Sequence, residues 1–370
     1  MKQAMEVMLQ PKGSQALLPT DILFQSVYWG DVKRRLGWRA HAFDIDGKAS
    51  TQDMLVLSKP IGRNAVAAYV PQGPEWAPAQ ESYGPYLEAL SAELVRHIGD
   101  NVAFIRYDLP WESTYAREIE CLERYDFPDP GIREIRMNFG TKHWRLKKAP
   151  NDMTVAHSCV VDIVDENRML SRMKSKTRYN INLARRKGVQ VKPGTVEDLP
   201  VFYELYRRTA ERNGFRTAAY RFFEVLFPND GDHREKSEIA LLLATHGSDV
   251  LAGAIIAVCG KVALFLHGAS GNLKRNLMGS YALHWEAMKW AAHRDCHTYD
   301  MGAVAPNGNP QHPFFGMYRF KSGFGGRIVH QSGTWDYAVK EDVYTAFRNW
   351  EATSLESRGL EMTPGIASGM

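Results

Sequence analysis

Three apolar runs, Ile239-Ala-Leu-Leu-Leu-Ala-Thr245, Val250 to Val258 and Val262-Ala-Leu-Phe-Leu-His267, are separated only by His246-Gly-Ser-Asp249 and Cys259-Gly-Lys261. Links this short cannot carry a parallel crossover, so the runs must be neighbouring antiparallel strands. Apolar residues at helical spacing follow from Tyr281 to His293, then a short strand at Thr298 to Met301. Beyond it comes Gly316-Met-Tyr-Arg-Phe-Lys-Ser-Gly-Phe-Gly-Gly326, which reads as a glycine-rich loop carrying Lys321 at the end of a buried strand. Strand ends of this kind are where α/β proteins commonly build reaction sites.

The same grammar occurs earlier in the chain. Ser26 caps a helix running to about Leu36, which Gly37 closes. Met54 to Lys59 and Asn64 to Val70 form a hairpin, a helix spans about Gly84 to Ile98, and Asn101 to Tyr107 is a strand whose end delivers Asp108. His157 to Asp162 starts the second round, followed by one basic helix from Arg168 to Lys187 and another helix from about Val196 to Asn213. The pattern predicts an α/β (α+β) fold in two subdomains. Residues 1–152 form the first, with about 334–352 packing back on it; 153–333 form the second, and 353–370 a loose tail. The succession resembles the GNAT acyltransferase fold used twice.

A chain of 370 residues exceeds the size at which one core stops growing. Its longest apolar run, Val250 to Cys259, is half of what crosses a bilayer, and Met1-Lys-Gln-Ala-Met-Glu lacks the pattern of an export signal. A cytoplasmic protein is expected. Cys121, Cys159, Cys259 and Cys296 show no ligand spacing and read as reduced core thiols, with no metal site. His267, His284 and His293 read as packing or surface histidines. The net charge is only +4, yet Arg168, Arg172, Lys174, Lys176, Arg178, Arg185, Arg186 and Lys187 lie together. Such clustering suits a polyanionic partner, although a solvated helix face is its commoner use.

No Walker loop, nucleophile elbow or zinc-protease helix is present. The loop before Tyr281, Asn272-Leu-Lys-Arg-Asn-Leu-Met-Gly-Ser280, lacks the glycine spacing that holds the coenzyme A pyrophosphate in GNAT folds, so another acyl carrier is expected. Lys321, between glycines that allow close approach to a ligand, could stabilise an oxyanion or hold a phosphate; alone it would read as a surface lysine, but Tyr318, Arg319, Phe320 and Phe324 favour function. Asp108 could bind or deprotonate an amine, or equally cap a segment or pair with an arginine. Asp300 reads as fixing a turn. Lys33, after Trp29, could reach a cleft, against the default of a solvated lysine.

Several separated segments then resemble the FemABX aminoacyltransferases: Gln25-Ser-Val-Tyr-Trp-Gly-Asp-Val-Lys33, Val70-Pro-Gln-Gly-Pro74, Phe104-Ile-Arg-Tyr-Asp108, Lys174-Ser-Lys-Thr-Arg-Tyr-Asn-Ile181 with Ala184 and Gly188, and the C-terminal stretches quoted above. The resemblance implies two GNAT-like subdomains and transfer of an amino acid from aminoacyl-tRNA to an amino group on the stem peptide of a peptidoglycan precursor. That precursor is lipid II or a soluble UDP-MurNAc-peptide, and no cofactor or metal takes part. It associates Lys321 with the transfer step and tRNA end, Lys33 and Arg178 with the precursor's phosphates, and Tyr107 and Asp108 with the acceptor peptide; Lys321 and Asp108 are the catalytic candidates, and Lys174, Lys176, Tyr281 and Arg319 join Lys33, Tyr107 and Arg178 as substrate-binding candidates. The precursor is expected between Lys33 and the Lys174 to Arg178 segment, with the tRNA end at Lys321. No heptad segment long enough for a helical-hairpin arm occurs, which resembles the shorter, FemX-like type. A monomer is expected, meeting a lipid-borne precursor at the inner membrane face.

Overall fold

A computed structural model describes residues 5–46, 52–122, 127–227 and 237–356. The chain divides into two compact units. One comprises the described residues up to 156 and those from 331 to 356, the other those from 157 to 330.

In the first unit, the strands Met8–Lys12, Arg39–Asp46, Gln52–Gly62 and Ala65–Val70 follow one another antiparallel. The helix Tyr83–Ile98 then carries the chain over to Val102–Glu112, which lies parallel to Ala65–Val70. Residues 331–338 of the strand Arg327–Ala338 close the sheet on the other side of Val102–Glu112, with Leu146–Lys148 paired beside them. The helix buries Tyr83, Tyr86, Leu87, Leu90 and Leu94 at three- and four-residue spacing against Val56, Ile105 and Tyr107 of the sheet. Ser26 caps the helix Val27–Arg35 by accepting from the Trp29 amide, and Gly37 beyond it has φ +84°.

The second unit repeats the plan. Gln190–Gly194, Glu238–His246, Asp249–Cys259 and Val262–Ser270 are antiparallel, the helix Gly279–Ala292 crosses over, and Thr298–Ala303 lies parallel to Val262–Ser270. His157–Asp162 and residues 327–330 complete this sheet. Short links forced the meander, and each crossover helix supplied the length a parallel return requires. The result is the expected α/β fold of two GNAT-like units, each an antiparallel meander with one parallel joint.

Several elements differ from the sequence reading. The basic segment is two helices, Glu166–Arg172 and Ser175–Arg186, because Met173 turns extended (ψ 149°) and the Lys174 amide donates to the Gly323 carbonyl. The supposed glycine-rich loop is a helix, Phe315–Lys321, with a single 3-10 turn after it. Two of its glycines are required by close approach of protein: a Cβ on Gly325, at φ +82°, would meet the Arg172 carbonyl at 2.6 Å, and one on Gly326 the Val160 carbonyl at 2.7 Å. Cys121 is exposed, so core thiols are limited to Cys159, Cys259 and Cys296. Residues 353–356 end the helix Glu341–Glu356 and are no loose tail; 357–370 lie outside the described residues.

That last helix is tied to its unit by a buried charge network. Arg106 donates from Nε to Asp336 Oδ1 (2.7 Å), from Nη2 to Asp336 Oδ2 (2.8 Å) and from Nη1 to Glu351 Oε1 (2.8 Å), and the Tyr344 hydroxyl donates to Asp336 (3.1 Å). Arg106 and Asp336 are both buried. Removing one partner strands the other charge without solvent, so Arg106→Leu is expected to lower stability by about 3–5 kcal/mol in urea unfolding.

Candidate functional site

In the second unit, the parallel pairing of Val262–Ser270 with Thr298–Ala303 ends at Leu264 opposite Asp300. Lys321 comes to the stretch where that pairing has stopped. Its Nζ donates to the Ala303 carbonyl (2.8 Å) and lies 5.8 Å from the centre of the Phe265 ring. Gly302, at φ +73°, shapes the turn: the Asp300 carboxylate accepts from its amide (2.7 Å), and a Cβ there would stand 3.8 Å from Nζ. Lys321 is only 6% exposed. Burial lowers its pKa to about 8, while the charge of Asp300 opposes that fall. It is therefore a poorly hydrated ammonium with one carbonyl acceptor, a state in which a developing negative charge would be strongly favoured.

The walls of this pocket of charge are aromatic. His284 packs on Phe265 (4.6 Å), Phe320 (5.4 Å) and Phe324 (5.5 Å), with Nδ1 3.0 Å from the Tyr299 hydroxyl. Burial first, and then Lys321, lower its pKa to about 3, so it is neutral and a packing residue. Tyr281 stands edge-on to Phe320 at 4.9 Å and lines a groove of about 660 Å3 with Lys274, Arg275, Gly279, Ser280 and Met317. Arg319 is exposed, with its guanidinium 5.8 Å from the Phe315 ring.

The basic segment of the same unit divides by role. Arg178 donates from Nη1 to the Leu170 and Met173 carbonyls, closing the end of the helix Glu166–Arg172. Lys174 and Lys176 are exposed; Lys174 reaches Ser322 Oγ at 3.4 Å, and Lys176 lies over the exposed Tyr179 ring at 5.3 Å. Arg186 approaches that ring at 6.0 Å, so one tyrosine is bracketed by two cations.

In the first unit, Lys33 is no solvated lysine. It is 5% exposed, with Nζ 5.2 Å from the Trp29 ring and 5.5 Å from the Trp38 ring. Burial, with Lys59 also over Trp38, lowers its pKa to about 8. Among the described residues no carboxylate pairs with it. Asp108 sits within the strand Val102–Glu112, not at its end, and is buried. The Thr334 hydroxyl donates to its Oδ1 (2.9 Å) and the Thr154 hydroxyl to its Oδ2. Gln72 Nε2 extends the network to Thr154 (2.8 Å) and Gln331 (3.3 Å). Tyr107, read as a substrate contact, is a core residue whose hydroxyl bonds Ser91 (2.8 Å), because its position in the strand faces the helix Tyr83–Ile98.

Sequence reasoning missed Thr154, Thr334 and Gln72, since isolated polar residues carry no periodic signal. Trp38 was closer to reach: Trp29 and Lys33 already stand one helical turn apart, the spacing at which a cation covers a ring.

Comparison with known proteins follows this geometry. A sequence model of the FemAB family matches residues 17–236 and 228–351. A lipid II:glycine glycyltransferase of Staphylococcus aureus (strain COL) is 22% identical, covering 88% of this chain and 90% of that protein. One from Staphylococcus epidermidis (strain ATCC 12228 / FDA PCI 1200) is 21% identical over the same shares, 88% and 90%. The crystal structure of FemX has the same fold, with a TM-score of 0.66 and 19% identity over 90% of this chain and 96% of that one.

Asp108 makes a prediction about stability. Burial pushes its pKa up to about 6, against the two threonine hydroxyls, from an unfolded value of 3.8. The folded state then binds this proton more tightly than the unfolded one, so the group costs stability as pH rises from about 4 to 6. Asp108→Asn should remove that slope, by up to about 3 kcal/mol, in urea midpoints compared across this range.

Proposed function

The chain belongs to the FemAB family, and from that premise we propose that it moves an amino acid from aminoacyl-tRNA to an amino group on the stem peptide of a peptidoglycan precursor. Relatives named lipid II:glycine glycyltransferases support an aminoacyltransferase acting in peptidoglycan bridge formation. The observation that carries the reading is the buried Lys321 ammonium where two parallel strands cease to pair.

The chemistry asks little else of the protein. The acceptor amine attacks the ester carbonyl of the aminoacyl-tRNA, a C–N bond forms, the C–O bond breaks, and the terminal ribose hydroxyl leaves with a proton. The ester is already activated, so no covalent enzyme intermediate is needed; positioning and oxyanion stabilisation suffice. Lys321 is assigned to the oxyanion. Asp108, ionised above a pKa of about 6, is assigned to the acceptor amine and its proton. Lys33, a cation between two indoles with no carboxylate partner among the described residues, is assigned to the precursor's phosphates. Lys176 and Arg186 over Tyr179, with the exposed Lys174 at the start of the same helix, suit a phosphodiester backbone with a stacked base. Tyr281 and Arg319 are kept as substrate-binding candidates beside Lys321. No cofactor is required.

The test is incubation with a pool of charged tRNAs and both precursor forms, the lipid-linked and the soluble, with the product read by mass. One added aminoacyl residue is expected; product formed from acyl-coenzyme A and not from charged tRNA would overturn the reading. Lys321→Ala should lower kcat by about 10²–10³. Because Lys321 works as an ammonium with a pKa of about 8, activity should fall as pH rises through that value. Asp300→Asn keeps an acceptor for the Gly302 amide but removes the charge that holds this pKa up. It should move the alkaline limb to lower pH.

A further inference from the structure

The helix Pro130–Asn138 in the first unit turns Met137 and Asn138 inward, Met137 into the hydrophobic core, and leaves its most apolar stripe outside. Asn138 is buried, donating from Nδ2 to the Glu134 and Leu146 carbonyls (both 2.8 Å) and accepting from the Leu146 amide (3.0 Å). Ile132, Ile135 and Phe139, spaced three and four residues apart, are 56%, 59% and 68% exposed. Trp144 follows five residues later at 52% exposed, held at φ +54°, a conformation a bulky residue seldom adopts. Its loop is not slack: both oxygens of Glu88 accept backbone amides, Lys142 at 2.7 Å and His143 at 2.9 Å. Single exposed apolar residues need no explanation, but a stripe along one helical face continued by a fixed tryptophan does.

Charge names the occupant. Between residues 130 and 148 there are six lysines and arginines and one carboxylate, Glu134. Glu134 is engaged by the Lys148 amide (2.9 Å) and the Lys147 ammonium (3.7 Å). Arg136, Lys142 and Arg145 are exposed. An apolar helical face with a tryptophan and a cationic border is the pattern that settles in the headgroup layer of an anionic bilayer. Basic residues beside it add attraction to acidic lipids. Among the described residues no helix is long and apolar enough to cross a membrane.

We propose that the helix Pro130–Asn138 and the loop to Arg145 form a docking surface for an anionic phospholipid bilayer, on which Ile132, Ile135, Phe139 and Trp144 insert and Arg136, Lys142 and Arg145 meet the lipid phosphates. The inference rests on the reading above in one respect: a surface-bound enzyme would meet a precursor carried by a lipid. Transfer to the soluble precursor needs no bilayer, so the two ideas fail separately.

The experiment is co-sedimentation of the full chain with vesicles of phosphatidylglycerol and phosphatidylcholine in equal amounts, and with vesicles of phosphatidylcholine alone. Binding to the anionic vesicles is expected, weakened by salt and at least about tenfold stronger than to the neutral ones. Ile135→Ser with Phe139→Ser should reduce it about tenfold or more, and Lys142→Glu should reduce it on anionic vesicles only. These side chains are exposed, and unchanged transfer to the soluble precursor would show that the variants fold; transfer to the lipid-linked form in vesicles should show a raised KM. Absence of parental binding, or parental binding by the double variant, would overturn the proposal. So would sedimentation showing a parental dimer that the double variant abolishes, since the face would then belong to a second copy. A parent that binds vesicles but turns over neither precursor would leave the docking surface standing and remove the functional reading.

Discussion

Lys321 owes its properties to a mismatch between two strands that begin side by side and do not continue so. As long as parallel strands pair, their carbonyls are consumed by each other. Past Leu264 and Asp300 that consumption stops, and the Ala303 carbonyl becomes available to a side chain. A lysine placed there lies among aromatic walls that hydrate it poorly, one carbonyl that orients it and one acid that keeps it charged. The arrangement is costly to the resting protein. That cost is what leaves its field available to a substrate, since a well-hydrated or tightly paired ammonium would have little left to offer.

The two units share a topology and differ in what they bury. The first hides a cation between indoles and an acid between threonine hydroxyls. The second hides a cation against a carbonyl. In each, buried packing holds the ring walls in place: Trp29 against Phe24 and Trp38 against Tyr69 in the first, Phe324 within the core cluster of the second and Phe265 packed against it. Family membership and the fold shared with FemX agree with this use of a repeated scaffold.

Much of the fold could be read from the chain because its turns are short and chemically explicit. The links His246 to Asp249 and Cys259 to Lys261 leave no alternative to a meander, and Ser26 and Gly37 bracket a helix by capping chemistry alone. What could not be read was set by distant backbone. The apolar spacing Leu170, Met173, Thr177, Ile181 runs unbroken across a helix boundary that exists because Lys174 finds the Gly323 carbonyl 149 positions away. Glycines around Lys321 suggested a ligand loop, whereas contact with Arg172 and Val160 explains Gly325 and Gly326 and lets the lysine ride on a helix. Asp108 was visible as a chemically apt residue, but its threonine partners come from positions 154 and 334 and leave no local trace.

The grip of Arg106 on Asp336 bears on the order in which the molecule is born. These residues are 230 positions apart, and everything from 157 to 330 lies between them. As the chain leaves the ribosome, the strand Val102–Glu112 emerges long before its neighbour at 331–338. The later, contiguous unit can therefore fold while the earlier one still presents an open strand edge, a hazard for wrong pairing that lasts until the last helix is released. The N-terminal half of this protein is made first and finished last.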